Sequence, residues 1–256
     1  MNKKRAIVRG IADSFLDAAS VYFGNGPTDL GEAKSQHANY VSSLRKLGVE
    51  VTEIPADDDY PDCCFVEDQV VVANDKGLLT VSGRDLRRGE RGAIENALKD
   101  HLDLSKMSLP AHMDGGDVVE FGDTFLVGIS SRTNREGAQA LRDMVSPLGF
   151  KVHEIPIPSN ALHLISICSS PADGMLLAPQ GYLNSSDFPS DAELLWVPEE
   201  EVYAANVIGF GNDVLCAAGY PKTHKLLEDK GFCLHPIDMS QIRSADGSLT
   251  CMSVFY

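Results

Sequence analysis

The sequence predicts an α/β chain folded as a five-bladed propeller, with ββαβ units around a central site and residues 1–256 forming one domain. Three observations predict it. First, a helix–glycine–strand–proline segment recurs. Leu47-Gly-Val-Glu-Val-Thr-Glu-Ile-Pro55 matches Leu148-Gly-Phe-Lys-Val-His-Glu-Ile-Pro156 almost residue for residue, and Lys230-Gly-Phe-Cys-Leu-His-Pro-Ile-Asp238 is a looser third copy. The spacing of their glycines leaves room for one more unit of about 40–50 residues between each pair, with 94–109 and 190–197 as the candidates. Second, a polar cluster follows the first strand of each unit: Asp62/Glu67/Asp68, Asp114/Asp117, His163, Asn206 and Cys251. Third, strand pairs with turns follow the clusters, and the strand at 5–11 is left over to complete the last unit, so that the termini zip a closed ring. An open doubly wound sheet would need a glycine-rich phosphate loop after the first strand, and none is present.

Taken in order, residues 5–11 are apolar and β-branched, a first strand. Residues 23–31 hold three glycines and a proline and read as a surface loop able to serve as a lid. In the helix that follows, Ala38, Val41, Leu44 and Leu47 recur at threes, and Gly48 is placed to cap it. Residues 49–54 alternate as a strand should and end at Pro55. Strand pairs are expected at 70–73 with 78–81, at 118–121 with 124–127, and at 207–210 with 214–217, each across a turn sequence. Cys251 sits in Asp246-Gly-Ser-Leu-Thr-Cys-Met-Ser, where an Asp-Gly turn runs into a short apolar, β-like stretch.

The formal net charge of −15 disfavours nucleic acid and anionic membranes and favours a cationic partner, or nothing beyond solubility. Six cysteines without C-x-x-C spacing read as free thiols in a reducing cytosol, which leaves the Asn184-Ser-Ser sequon without meaning. Arg9 cuts the apolar run behind the basic N-terminus, so it is not a signal peptide, and no stretch approaches a membrane span.

A thiol, an imidazole and several carboxylates on scattered segments fit nucleophilic catalysis on a cationic substrate. Taken alone, Cys251 reads as a small buried hydrophobe, and His163, between Leu162 and Leu164, as a satisfied core histidine. Their combination with Asp114 favours chemistry. Asp62, Glu67 and Asp68 supply carboxylates that would face such a cation. Glu67 and Asp68 are adjacent, so a bend must re-aim one of them. Cys63 and Cys64 read as packing. No H-E-x-x-H or Cys/His cluster implies a metal, and no cofactor is called for.

Seven stretches, in order and covering nearly the whole chain, resemble the dimethylarginine dimethylaminohydrolases of the compact bacterial kind, within the guanidino-group-modifying (pentein) superfamily. They are Asp62-Cys-Cys-Phe-Val-Glu-Asp68, Arg87-Arg-Gly-Glu90, Asp114-Gly-Gly-Asp117, Arg132-Thr-Asn134, Leu162-His-Leu164, Tyr203-Ala-Ala-Asn206 and 246–253. The resemblance implies a five-bladed α/β propeller around one catalytic site. It implies hydrolysis at the guanidinium carbon of an N-ω-methylated arginine, giving citrulline and an amine through a covalent adduct on Cys251. His163 would be the general acid and then base, and Asp114 its partner. Asp62, Phe65, Glu67, Asp68, Ala245 and Asp246 would line the substrate site, and Arg87 and Arg132 would hold the α-carboxylate. Assembly as a homodimer is left open.

The chain departs from the family at Ile165, where a lysine is usual, at Ala245, where a larger β-branched residue is common, and at Ala18-Ala19, where a lid leucine is expected. These departures bear on specificity more than on chemistry. An arginine or agmatine deiminase is the enzymatic rival, although arginine deiminases carry a helical insertion that 256 residues cannot hold. A non-catalytic propeller resembling the ribosome anti-association factor is the rival of another class. It would have no use for Asp114, His163 and Cys251 together, and its charge would suit RNA badly.

Overall fold

The computed structural model describes residues 4–256. In the first unit β1 (Arg5–Arg9) leads, through an irregular stretch, to α1 (Leu30–Lys46) and β2 (Glu50–Ile54), which lies parallel to β1. The second has β3 (Val70–Ala73) and β4 (Lys76–Leu79) antiparallel, then α2 (Arg91–Leu98) and β5 (Asp103–Lys106) parallel to β4. The third repeats this with β6 (Val118–Phe121), β7 (Thr124–Ile129), α3 (Arg135–Val145) and β8 (Lys151–Pro156). The fourth is reduced to β9 (Met175–Pro179) and β10 (Glu193–Val197), which are parallel. The fifth has β11 (Ile208–Phe210), β12 (Asp213–Ala217), α4 (Pro221–Glu228) and β13 (Cys233–Ile237). After α5 (Ser240–Ser244), β14 (Val254–Phe255) pairs antiparallel with β1, Ala6 against Phe255 and Ile7 against Val254. The termini therefore close the ring in the first unit, and the five sheets make the α/β propeller that the repeats imply.

The recurring glycine has a physical reason. Gly48, Gly149 and Gly231 have φ of 86°, 91° and 88°, the left-handed conformation that turns a helix end into the next strand without a Cβ clash. Three expectations need correction. The buried stripe of α1 is Ala33, Gln36, His37, Tyr40, Val41 and Leu44, while Ala38 faces outward. The fourth unit has no helix between its paired strands; a three-residue turn, Ser185–Asp187, takes that place, and Ser169 supplies only an isolated bridge to Leu177. Cys251 lies on a one-turn 3-10 helix, Thr250–Met252, ahead of β14 rather than on a strand. Among the described residues, no helix is long and apolar enough to cross a membrane.

Candidate active site

The turn Val66–Gln69 parts its two adjacent acids, because a 3-10 turn sends neighbouring side chains in different directions. Glu67 Oε2 accepts from Thr250 Oγ1 at 3.0 Å. Asp68 Oδ1 accepts from the Gly116 N–H at 3.0 Å, and its other oxygen pairs with Arg87. Arg87 also donates from Nε and Nη2 to Glu90 at 2.9 and 2.8 Å and from Nη2 to the Phe65 carbonyl at 3.0 Å. All three side chains of this ion group are buried. Arg87 borders the cavity described below. Most of its donors go to the protein, so it also pins the carboxylate-bearing turn.

Asp114 is fully enclosed. Its Oδ1 accepts from Ser82 Oγ at 2.7 Å and from the Gly83 N–H at 3.1 Å. Its Oδ2 faces Arg132 Nη1 at 2.9 Å and His163 Nε2 at 3.2 Å. Glycines occupy the next two positions because nothing larger fits. A Cβ at Gly115 would lie 2.1 Å from the Glu67 carbonyl oxygen, and one at Gly116 would lie 2.8 Å from both His163 Nδ1 and Asp68 Oδ1. Asp117 supports the histidine from behind. Its Oδ1 accepts from the Leu164 N–H at 3.0 Å and its Oδ2 from Ser130 Oγ at 2.6 Å.

Cys251, His163, Asp62, Phe65, Asp68, Arg87, Arg132, Ala245 and Asp246 meet around one small cavity of about 60 Å³. Asp114 stands behind the imidazole. Glu67, expected in the lining, instead faces a separate cavity of about 650 Å³ that contains neither Cys251 nor His163. Ser248 Oγ lies 3.3 Å from Cys251 Sγ. At the mouth, Arg84 and Arg132 border both the small cavity and an open hollow of about 580 Å³. Arg84, absent from the sequence-derived set, is partly exposed and stands 3.9 Å from Asp62. The only sequence signal for it was its place in Arg84-Asp-Leu-Arg-Arg88, where three arginines compete.

The covering segment also differs from expectation. Ala19, Val21 and Tyr22 close over the cavity. The Asp246 carboxylate grips this segment through the N–H groups of Val21, Tyr22 (3.0 Å) and Phe23 (2.7 Å). Residues 24–29, expected to form the lid, are strapped to α5 instead. Gly26 N–H reaches the Ser244 carbonyl at 3.1 Å, and Gln241 Oε1 accepts from Thr28 and Asp29 at 2.8 and 3.1 Å. Gly31 already belongs to α1. The cavity itself has room for only a few water molecules, and the open hollow at its mouth adjoins it through Ala19, Val21, Arg84 and Arg132.

Charge within the site is arranged asymmetrically. Burial opposes a charged His163, but Asp68, the hydrogen bond to Asp114, and Asp117 outweigh it and push the imidazole up to about 9. Burial also opposes ionisation of Asp114, yet the contact and charge of His163, with Arg87 and Arg132, hold its carboxyl well below the usual range. The Cys251 thiol is pushed up to about 12, by burial first and then by Glu67 and Asp68. Burial and the neighbouring Asp68 push Glu67 up to about 8, and burial pushes Asp117 up to about 6. Near neutral pH the pair is therefore a neutral thiol beside an imidazolium. Asp68, Asp114 and His163 present atoms within 4.8 Å of one another, as a metal site would. Both carboxylates already hold guanidinium groups, of buried Arg87 and of partly exposed Arg132, with which a metal cation would compete.

Glu67 carries a stability consequence. Its pKa is raised in the folded chain, so its contribution is fully present below about pH 4.5 and is lost as pH rises through about 8. Glu67→Gln removes that loss. The variant should melt at nearly the wild-type temperature at pH 5 and higher than wild type at pH 9. The expected gain is on the order of 3 kcal/mol, or ~5–10 °C for a chain of this size. Equal melting shifts at the two pH values would show that Glu67 does not ionise in the folded site.

Comparison with known proteins accords with this geometry. The family described as "N,N dimethylarginine dimethylhydrolase, eukaryotic" matches residues 27–163. The N(G),N(G)-dimethylarginine dimethylaminohydrolase of Streptomyces coelicolor is 36% identical, over 99% of this chain and 97% of the relative. That of Pseudomonas aeruginosa is 31% identical, over 98% of this chain and 95% of the relative. A crystal structure of the Pseudomonas aeruginosa enzyme, a cysteine-to-serine mutant complexed with citrulline, superposes with a TM-score of 0.94 at 30% identity and full coverage of both chains.

Proposed function

The chain belongs to the dimethylarginine dimethylaminohydrolase family, and from that premise we propose that its five units act as one catalytic domain that hydrolyses N-ω-methylated arginine to citrulline and methylamine or dimethylamine. The observation that carries the reading is the polarity of the cavity. Carboxylates stand at its inner end beside the thiol, and Arg84 and Arg132 stand at its mouth. An amino acid that enters guanidinium-first and leaves its carboxylate outside meets opposite charge at both ends.

Cys251 is the nucleophile in this mechanism. Its resting thiol is neutral, and the cationic guanidinium that binds beside Sγ favours loss of the thiol proton to solvent, so the substrate helps to ionise its own attacker. Sulfur attacks the guanidinium carbon and the C–S bond forms. His163, already charged at neutral pH, gives its proton to the departing amine as the C–N bond breaks. Asp114 fixes Nε2, which leaves Nδ1, 3.9 Å from Asp68 and beyond hydrogen-bond reach of it, to exchange that proton. The product is an S-alkylthiouronium on Cys251. The neutral imidazole then takes a proton from water, the hydroxide adds to the same carbon, and loss of the thiolate releases citrulline.

Asp62 and Asp68 receive the guanidinium, with Glu67 supporting from behind through Thr250. Asp246 holds the 21–23 backbone closed over the reacting atoms and, with Phe65 and Ala245, walls the cavity. The small side chains at Ala18, Ala19 and Ala245 leave this closure less bulky than a leucine and a β-branched residue would. The test is citrulline formation from asymmetric dimethylarginine, monomethylarginine, arginine and agmatine side by side. Methylated arginines should lead, and a preference for arginine or agmatine would overturn the reading.

The two arginine assignments separate cleanly. Arg84→Ala should raise KM for methylated arginine by about 10–100-fold, the loss of one charged hydrogen-bonding partner, with little change in kcat. It should leave any weak turnover of agmatine, which lacks the carboxylate, unchanged. Arg87→Ala should instead lower the melting temperature, because Asp68 and Glu90 are left as buried, unpaired charges at a cost of about 3–5 kcal/mol. A KM effect confined to the Arg87 variant, with the fold intact, would return the carboxylate to Arg87.

A further inference from the structure

We propose that Asp213, Cys233 and His235 form a surface site for a divalent ion of the zinc type, on the edge strand of the fifth sheet and apart from the catalytic cavity. Strand geometry builds the ligand set. Cys233 and His235 are alternate residues of β13, so they project from one face, and parallel register sets Asp213 of β12 directly against Cys233. A backbone bond from the Cys233 N–H to the Asn212 carbonyl, 2.8 Å, locks that register. The carboxylate oxygen, thiol sulfur and imidazole nitrogen all lie within 4.8 Å of one another. Of the six cysteines, Cys233 alone is exposed.

The donor types select the ion. A thiolate, an imidazole and one carboxylate suit Zn(II) and its neighbours Co(II) and Ni(II), whereas Mg(II) and Ca(II) take oxygen donors. Three protein ligands on an open surface leave the fourth tetrahedral position to water. His235 Nε2 and Asp213 Oδ1 now meet at 2.7 Å. Tetrahedral ligands with bonds of about 2.0–2.1 Å stand roughly 3.3 Å apart, so the two side chains must part slightly. Both are about two-fifths exposed, at 39% and 43%, and free to do so. Binding displaces the thiol proton of Cys233 to solvent, and the proton on Nε2 moves to Nδ1, so that a neutral imidazole donates to the ion. The net charge of −15 concentrates cations around the chain generally, and the thiolate supplies the selectivity that charge alone lacks.

Cobalt substitution tests the site without reference to turnover. The full chain carrying Cys251→Ser, which removes the catalytic thiol as a source of signal, is titrated with Co(II). The expected result is a thiolate-to-cobalt charge-transfer band in the near ultraviolet that saturates at one equivalent, disappears on adding Zn(II) and persists in excess Mg(II). Cys233→Ser in the same background should remove the band, and His235→Ala or Asp213→Asn should weaken the apparent affinity at least about tenfold. No charge-transfer band would overturn the proposal. So would a band whose intensity and midpoint are the same in the Cys233 and His235 variants, since it would then belong to other groups.

Discussion

Cys251→Ser is expected to lower citrulline formation by at least about 10⁴-fold, the scale on which hydrolases lose activity with their nucleophile, while leaving substrate binding largely intact. Serine has nearly the size of cysteine and would keep a contact to Ser248, so the cavity should hold its shape. Its hydroxyl, however, is far less acidic. The burial and the carboxylates that push the thiol up to about 12 would keep the alcohol neutral even beside a bound guanidinium. The groups proposed to bind substrate, Asp62, Asp68, Arg84 and Arg132, are untouched. Calorimetric titration with asymmetric dimethylarginine, next to a citrulline assay, separates the two effects. Turnover within tenfold of wild type would remove Cys251 from its role, as would a substrate-derived adduct mapped by mass spectrometry to Cys64 or Cys168.

His163→Gly should fail differently. Without a proton donor the departing dimethylamine leaves as a poor leaving group, and turnover is expected to fall at least about 10³-fold. An arginine-like haloamidine carries its own good leaving group, and chloride departs without protonation. It should still alkylate Cys251 in the variant, at a rate that climbs through the alkaline range. The sign follows from the site. The thiol is already raised by burial, Glu67 and Asp68, and loss of the imidazolium takes a positive charge away from the same carboxylates. Adduct mass against pH is the measurement. If Cys251 stays unmodified at high pH while the variant is folded and binds the analogue, His163 does more than serve the leaving group.

The ring and the convergence of the candidate groups were legible in the chain because they rest on short-range rules. A glycine with φ near 90° recurs after three helices, alternation marks the strands, and turn sequences part them. Leftover strands at the two ends pair with each other, as Ala6 with Phe255 shows. The combination of a thiol, an imidazole and acids on segments that follow successive strands led to one cavity, and Cys251, His163, Asp62 and Asp68 do share it. The fourth unit was misread because strand pattern persists there while the helix between its paired strands has been replaced by a turn.

Local pattern could not choose among neighbours of like chemistry. Arg84 and Arg87 are three residues apart on a tight turn, and either could face the substrate. Asp68 and Glu90 capture Arg87 in the interior, and that leaves Arg84 at the mouth. Glu67 and Asp68 are adjacent acids, and Thr250, far along the chain, draws Glu67 to the other side of the wall. The glycine-rich segment had the composition of a lid, yet the stretch over the cavity is the one whose N–H groups Asp246 gathers, while Gly24 and Gly26 lie against α5. Residue type and spacing thus set which elements form and which chemistry is available. The facing of each side chain was decided by partners brought together only on folding, because a buried charge or N–H group settles wherever its complement is found.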